Sequence, residues 1–206
     1  MISVLIPSRG HPGLLRRSIT SLLDHASALE VVEILVAADD DDPKTATEVM
    51  EVMMNFAGIV RVFTRKPVGY GCLHEYYQFL ADRSRGEWLL VWNDDAQVLT
   101  YNWDAIITGQ PEGVLVADVQ SPYSPLCVFP AVRRTAVEAL GRFSTANPHV
   151  DTFWQDIGRM TGTIASVPVH ASLESPVKPG QTHGYYEPAH QAELKACADL
   201  LRKKLL

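Results

Sequence analysis

The stretch LLVWNDDAQV, residues 89–98, runs from four apolar or aromatic residues directly into Asn93, Asp94 and Asp95. A short apolar run of this kind predicts a buried strand. Two adjacent carboxylates repel each other, and burying them without partners costs free energy. We therefore expect this strand to end at a binding site, where a cation lies against the carboxylates.

The first hundred residues alternate between strand and helix patterns. Apolar, β-branched runs predict four strands, and the segments between them carry apolar residues at helical spacing. The predicted strands are ISVLI (2–6), VVEILVAADDDD (31–42, ending in four aspartates), IVRVFTR (59–65) and EWLLVWNDD (87–95). This alternation predicts an α/β fold with a mostly parallel central sheet and helices on both faces.

The second half of the chain is less regular. Strands are predicted over 113–119, 126–132 and 163–171, and helices over 133–141, 150–162 and 189–206. A loop rich in proline, glycine and histidine precedes the last helix. No internal repeat and no low-complexity linker divides the chain, so a single domain is expected.

Composition limits the classes of function. The 206 residues are 47% hydrophobic and 20% charged, which suits a globular domain. A net charge of −6 and the lack of a long basic run disfavour nucleic acid as the main partner. Cys72, Cys127 and Cys197 lie far apart, so neither a disulfide framework nor a zinc cluster is expected. No signal peptide or membrane span is predicted, and the cytoplasm is the expected location.

Two of the predicted strands end in acidic residues, at 39–42 and at 94–95. Ligands of open α/β sheets bind beyond the carboxyl ends of the strands, where Mg²⁺ or Mn²⁺ would find oxygen ligands. The alternative is a solvated turn in which an aspartate caps the next helix. Neither GxxxxGK[ST] nor GxGxxG is present, so a metal ion rather than a glycine-rich helix start is expected to hold a phosphate.

The ordered series of motifs resembles the GT-A glycosyltransferases, family two in particular. The matching segments are ISVLIPSRG (2–10), VEILVAADDDDP (32–43), GEWLLVWNDDAQV (86–98), VFPAVRRTAVEALGRF (128–143) and VDTFWQDIGRMTG (150–162). The resemblance covers about residues 2–170 and implies a single Rossmann-like GT-A domain. Residues 1–100 would bind a nucleotide-sugar, 101–170 would hold the acceptor and catalytic groups, and 171–206 would form the variable loop and helix of small phage and actinobacterial members.

The resemblance also implies which residues bind the donor. Asp39 or Asp40 would contact the uracil or the ribose, and Arg65 would offset diphosphate charge unless it is a solvated side chain. The residues implied to lie against the nucleotide base are those of the loop after the first strand, namely Pro7, Ser8 and Arg9.

The segment NDD falls where the family has its DxD motif. Asn93 stands at the first acidic position, so one carboxylate is missing there. The resemblance makes Asp95 the ligand of Mn²⁺ or Mg²⁺ and sets Asp94 near the donor's sugar or ribose. It also implies that His170 or His183 completes the metal or pyrophosphate site. The alternative for either histidine is a hydrogen-bonded surface residue.

The catalytic half should contain a base that takes the proton from the acceptor hydroxyl. In the family an acidic residue begins a late helix about eleven residues before a glycine, and Asp151 stands eleven residues before Gly162. Asp156 is the competing candidate, and a helix N-cap is the alternative role for Asp151. Trp103 and Trp154 are candidates for a platform under a sugar ring.

Together these features predict the transfer of a sugar from a nucleotide-sugar donor, UDP-linked for preference, to an acceptor hydroxyl with inversion and metal assistance. A nucleotidyltransferase is the enzymatic alternative. A catalytically inactive nucleotide- or sugar-binding module is the other, because Asn93 replaces an acidic residue. The acceptor is open among a protein, a glycan, a small molecule and a modified nucleobase.

Overall fold

The computed structural model describes residues 1–122, 125–174 and 188–206. Its strands are β1 (Ile2–Ser8), β2 (Val32–Asp39), β3 (Val60–Arg65), β4 (Trp88–Val91), β5 (Ala96–Val98), β6 (Val116–Gln120), β7 (Phe129–Arg133) and β8 (Ile164–Leu173). Its α-helices are α1 (Pro12–Asp24), α2 (Pro43–Asn55), α3 (Leu73–Ala81), α4 (Trp103–Thr108), α5 (Arg134–Leu140), α6 (Val150–Thr161) and α7 (Pro188–Leu205). Short 3-10 turns cover Leu29–Val31 and Tyr70–Cys72.

These strands form one curled sheet in the order β3-β2-β1-β4-β7-β6-β8-β5. Strands β1 to β4 pair in parallel, as the alternation of the first half predicts. Strand β7 runs antiparallel between β4 and β6, and β6 pairs in parallel with β8. The α/β class with a mostly parallel sheet is thus confirmed, and the antiparallel pairs are β4–β7, β6–β7 and β5–β8.

Helices cover both faces of the sheet because its strands are buried on both sides. All eight residues of β2 are buried, and β1 directs Ile2, Val4 and Ile6 to one face and Leu5 to the other. Helices α1, α2 and α4 pack on the first face, and α3, α5, α6 and α7 pack on the second. Helix α7 contributes apolar side chains to the same core as α6, so the tail belongs to the one domain.

A buried carboxylate fixes the amino ends of the central strands. Glu33 is 1% exposed and accepts hydrogen bonds from Ser3 Oγ at 2.7 Å, Arg61 Nη2 at 3.0 Å and Arg85 Nε at 3.0 Å. Burial alone would raise the pKa of Glu33, but these hydrogen bonds and the charge of Arg61 lower it. The N–H of Gly86 donates to Ser3 Oγ at 2.7 Å, which extends the network to the start of β4.

Most differences between the predicted and the observed elements begin at the carboxyl end of β4. Strand β4 ends at Val91, so Asn93–Asp95 form a turn, whereas β8 continues past its predicted end to Leu173. Strand β5 and helix α4 carry no clear periodic pattern and were not predicted. Within the described ranges, no helix is both long and apolar enough to cross a lipid bilayer.

Replacing Gly86 by alanine should destabilise the fold. An added Cβ would lie 2.4 Å from Ser3 Oγ and 2.6 Å from Ser3 N, so β1 would have to shift. We expect a loss of about 1–3 kcal/mol in the free energy of unfolding, measured by urea titration. Gly13→Ala is the matched control, because its Cβ would meet no atom within 4 Å. Equal stability of the two variants would show that Gly86 is not constrained.

Candidate active site

The acidic strand ends meet at one edge of the sheet. Strand β1 pairs with β2 on one side and with β4 on the other, so the chain order reverses between β1 and β4. Ligands of open α/β sheets bind beyond the strands' carboxyl ends at such a point. Parallel pairing sets Pro7 and Ser8 beside both Asp39 and the turn at 93–95. The two acidic strand ends therefore share an edge, as the sequence predicts.

Asp94 is held at the centre of this edge. Its Oδ2 accepts a hydrogen bond from Ser8 Oγ at 2.7 Å, and the carbonyl of Asn93 accepts one from Ser18 Oγ at 3.2 Å. Burial raises the pKa of Asp94, and the charge of Asp95 adds to the rise, while the bond from Ser8 opposes both. A raised pKa means that the ionised form would be stabilised by an added positive charge.

Asp95 presents an open carboxylate beside it. Its backbone carbonyl accepts from the N–H of Glu174 at 3.1 Å, but across the described residues its carboxylate has no hydrogen bond or ion pair. No trio of histidine, cysteine or acidic side chains within 1–122, 125–174 and 188–206 is arranged to hold a metal ion. Magnesium and manganese often take one or two carboxylates plus phosphate oxygens. Asp94 and Asp95 fit this mode of binding, but they do not fit a site in which the protein supplies all the ligands of the metal ion.

His170 lies within β8 and not after it, because the strand runs on to Leu173. Glu174, four residues further on, is the residue whose backbone meets that of Asp95. Four residues of strand span roughly 13 Å, so the backbone of His170 lies well away from Asp95. The imidazole is exposed, and a role at the metal stays a prediction. His183 lies outside the described residues.

Asp39 lies at the other end of the edge and is only 2% exposed. Its Oδ2 accepts a hydrogen bond from Arg9 Nη1 at 2.6 Å, and its Oδ1 accepts one from the phenol of Tyr76. Arg9 also reaches Asp41 through both terminal nitrogens, at 3.0 Å from Nη2. Asp40, the alternative to Asp39, is exposed.

Asp42 has a structural role. It is the N-cap of α2, and its carboxylate accepts from Thr45 Oγ1 at 2.6 Å and from the N–H of Gly10 at 2.7 Å. The capping alternative is therefore correct for this one aspartate of the four. The bond to Gly10 also fastens the loop after β1 to the start of α2.

Arg65 lies at the same end of the edge as Asp39. Its guanidinium donates to the carbonyl of Glu75 at 2.9 Å and to the carboxylate of Glu75 at 3.2 Å. It also lies over the ring of Tyr76, 4.6 Å from the centroid. These contacts hold the Tyr76 ring in place, and a direct contact with diphosphate stays a prediction.

Asp151 lies in the first turn of α6, and His149 occupies the N-cap position, so the capping alternative for Asp151 is wrong. Burial raises the pKa of Asp151, although the Thr152 N–H donates to its Oδ1 at 2.7 Å. The charges of Asp151 and Asp94 both act on the buried phenol of Tyr77 and raise its pKa further above its usual value. Asp151 and Asp94 therefore both lie near enough to the Tyr77 phenol for their charges to act on it.

Asp156 faces a different neighbour. Five residues after Asp151 it is turned by about 140° around the helix. Its charge acts on His190 of α7, whose pKa is lowered mainly by burial. Asp156 thus lies on a different side of α6 from Asp151, and the assignment of the base to either residue stays a prediction.

The aromatic residues of the site were missed or misassigned from the sequence. Tyr77 donates its phenol to the carbonyl of Trp92 at 3.2 Å beneath the acidic turn, and Tyr70 exposes 60% of its surface close to Asp151. No periodic pattern in the sequence links them, because Tyr70 lies in the 3-10 turn before α3 and Tyr77 lies within the helix. Trp103 and Trp154 are fully buried, so the predicted sugar platform is wrong for both.

Comparison with known proteins identifies the fold. No family profile and no curated protein matches the chain. The mannosyltransferase PcManGT from Pyrobaculum calidifontis, in complex with GDP-Man and Mn²⁺, superposes with a TM-score of 0.70 at 12% identity, over 98% of this chain and 74% of its own. S. aureus TarS 1-349 in complex with UDP gives 0.67 at 11% identity, over 99% and 66%. GalNAc-T7 with UDP, GalNAc and Mn²⁺ gives 0.63 at 15% identity, over 98% and 48%.

This chain thus spans 66% of the TarS fragment and 48% of GalNAc-T7. Identities of 11–15% concern the fold rather than the activity. The sheet is mixed but mostly parallel and has helices on both faces, and the chain aligns over 98% of its length with a mannosyltransferase. This is the fold of the GT-A glycosyltransferases.

Proposed function

We propose that this chain is a glycosyltransferase that moves a sugar from a nucleotide-sugar donor, preferably UDP-linked, to an acceptor hydroxyl. One observation carries the proposal. Asp94, tied to β1 by Ser8, and the open carboxylate of Asp95 lie at the point where the chain order reverses, and the half-buried Asp151 lies near enough to the phenol beneath this turn, that of Tyr77, for its charge to act there as that of Asp94 does. This arrangement offers a diphosphate site beside a candidate base.

The order of groups along the edge supports a particular orientation of the donor. A nucleotide-sugar is long enough to lie across several strand ends. Its diphosphate would meet Asp94 and Asp95, and its sugar would point towards Asp151. The nucleoside is then left at the end formed by Arg9 and Asp39, beyond β1 and β2.

In the proposed reaction the acceptor hydroxyl attacks the anomeric carbon, while the bond from that carbon to the diphosphate oxygen breaks. Asp151 takes the hydroxyl proton, and the bonding electron pair leaves with the diphosphate. A single displacement inverts the anomeric configuration. Burial supports this role, because a carboxylate with a raised pKa is the stronger base once ionised.

Asp95, with Asp94 beside it, would hold Mn²⁺ or Mg²⁺. When bound there, the ion would supply Lewis-acid stabilisation of the charge that develops on the leaving diphosphate. The open carboxylate of Asp95 and the raised pKa of Asp94 both favour an added cation.

The alternatives are less well supported. A nucleotidyltransferase would use a basic loop after β1, but Arg9 in that loop is already paired with Asp39 and Asp41. The solved structures of similar fold carry the names of sugar-transferring enzymes or hold UDP or a nucleotide-sugar. An inactive binding module would hold the same ligands without turnover. Release of UDP from UDP-sugars distinguishes an enzyme from such a module.

The proposed enzyme is family-two-like and works in a reducing cytoplasm. The free thiols of Cys72, Cys127 and Cys197 are stable in such a compartment. The acceptor hydroxyl belongs to a protein, a glycan, a small molecule or a modified nucleobase. Acceptor pockets are built by loops, and Tyr70 is 60% exposed in the 3-10 turn before α3.

UDP should raise the melting temperature, and Mn²⁺ should increase the rise. A ligand that binds only the folded state stabilises it by mass action, by about 2.7 kcal/mol at one hundred times its Kd. Thermal unfolding with UDP, Mn²⁺, both and neither measures the effect. The donor site is absent if no nucleoside diphosphate shifts the transition with any divalent ion.

Asp95→Ala should lose the part of UDP affinity that depends on Mn²⁺, because its carboxylate is the open one. Asp94→Asn is the matched variant and should lose less, since an amide can still accept from Ser8. Calorimetric titration with and without Mn²⁺ compares the two. Full metal dependence in Asp95→Ala would remove Asp95 from the metal site.

Asp151→Asn should lower turnover by about 10²–10⁴-fold while leaving UDP affinity unchanged, since the amide cannot take a proton. Release of UDP from a panel of UDP-sugars, with water as acceptor, measures it. In the parent, activity should fall as pH drops through the folded pKa of Asp151, which lies above its ordinary 3.8 because of burial. Asp156→Asn is the control and should keep near-parent turnover. The reverse result would make Asp156 the base.

A further inference from the structure

Asp39 is too enclosed to be the group that meets the nucleobase. It is 2% exposed, and both of its oxygens already accept hydrogen bonds, one from Arg9 at 2.6 Å and one from the Tyr76 phenol. Tyr76 is held in turn, because its hydroxyl also accepts from the Val68 N–H at 3.3 Å. A base could reach Asp39 only after one of these partners had moved away.

Arg9 is the exposed member of this network. Its side chain is 54% exposed, whereas that of Asp39 is buried. A guanidinium carries five N–H donors. Three are engaged here: both on Nη1, with Asp39 and Asp41, and one on Nη2, with Asp41. The two remaining, on Nε and Nη2, point in parallel from one edge of the group and have no partner in the residues that the structure describes.

An edge of two parallel N–H donors binds carbonyl oxygen and repels an amino group. Uracil and guanine carry a carbonyl oxygen where cytosine and adenine carry an amino group. Within each pair of bases, the donor edge therefore favours the keto base. In nucleic-acid recognition, arginine distinguishes guanine from adenine by donating the same kind of hydrogen bond to the carbonyl oxygen of guanine.

We propose that Arg9 donates from its free Nε–Nη2 edge to the carbonyl of a keto nucleobase, and that Asp39 is a positioning residue that acts through Arg9. The inference rests on the proposed function, because it assumes that a nucleoside diphosphate lies along the carboxyl edge. The guanidinium of Arg65 supports this arrangement, because it lies 4.6 Å from the centroid of the Tyr76 ring and helps to hold the phenol against Asp39.

The test compares the binding of UDP with CDP, and of GDP with ADP, by calorimetry. The parent should prefer the keto member of at least the tighter-binding pair by about tenfold or more, the typical effect of a hydrogen bond to a charged group. Arg9→Gln should lose that preference, and Arg9→Lys should keep part of it, because the ammonium still donates. Arg16→Gln is the matched control: Arg16 also pairs with two carboxylates, Glu48 and Glu51, but on the outside of α1 and α2.

A double-mutant cycle separates positioning from direct contact. Asp39→Asn should weaken keto-base binding, and Arg9→Gln with Asp39→Asn should bind no more weakly than Arg9→Gln alone, because both changes remove one interaction. Additive losses would mean that Asp39 meets the base itself and would overturn the proposal. Melting temperatures check folding, and the Arg9 variants decide the question if Asp39→Asn does not fold.

The result also distinguishes this inference from the function on which it rests. If the parent binds UDP with Mn²⁺ but Arg9→Gln keeps the keto preference, Arg9 does not read the base and the proposed function still stands. If the parent binds none of the four nucleotides, both are wrong. Loss of the preference in Arg9→Gln, with Arg16→Gln unchanged, supports both.

Discussion

The buried carboxylate of Glu33 is the contact on which the geometry of the sheet depends. It joins Ser3 of β1, Arg61 of β3 and Arg85, just before β4, at one end of the strands. A slip of one residue in any of these strands would break the network and leave a buried charge without a partner, which is costly. Because the strands are parallel and rigid, the register set at this end also fixes which residues meet at the opposite end.

At the opposite, carboxyl end of the strands, burial disfavours the ionised form of two carboxylates. Asp94 and Asp151 are both half-buried, and burial raises the pKa of each. Ser8 offsets only part of this effect at Asp94. The same strands thus pair one buried carboxylate with arginines at their amino ends, whereas Asp94 and Asp151 have no ion pair among the described residues. The charges of His11 and His149 offset only part of the effect of burial on these two groups. Functional sites commonly show such perturbed pKa values, because catalysis and ligand binding use the uncompensated charge.

The sequence predicts the parts of this arrangement that depend on local pattern. Apolar periodicity locates β1 to β4 and the helices between them, and strand ends that share an edge follow from parallel pairing. Local pattern does not predict contacts between residues that are distant in the sequence. Tyr76 donates a hydrogen bond to Asp39, 37 positions away, and no feature of either segment predicts this bond. Asp42 and Asp39 belong to one acidic run, yet one caps a helix and the other is buried. Only the path of the chain distinguishes them.

The distribution of charge along the edge explains why a divalent cation belongs in the proposal. A diphosphate is anionic, and so is the edge it would approach. Arg9 offsets Asp39 and Asp41 beyond β1 and β2, but no ion pair among the described residues offsets Asp94 or Asp95. Like charges a few ångströms apart repel strongly at low dielectric. In the proposed complex, a cation shared between these carboxylates and the phosphate oxygens would turn both repulsions into attractions, and the unpaired charge of the acidic turn would then contribute to the affinity for the donor.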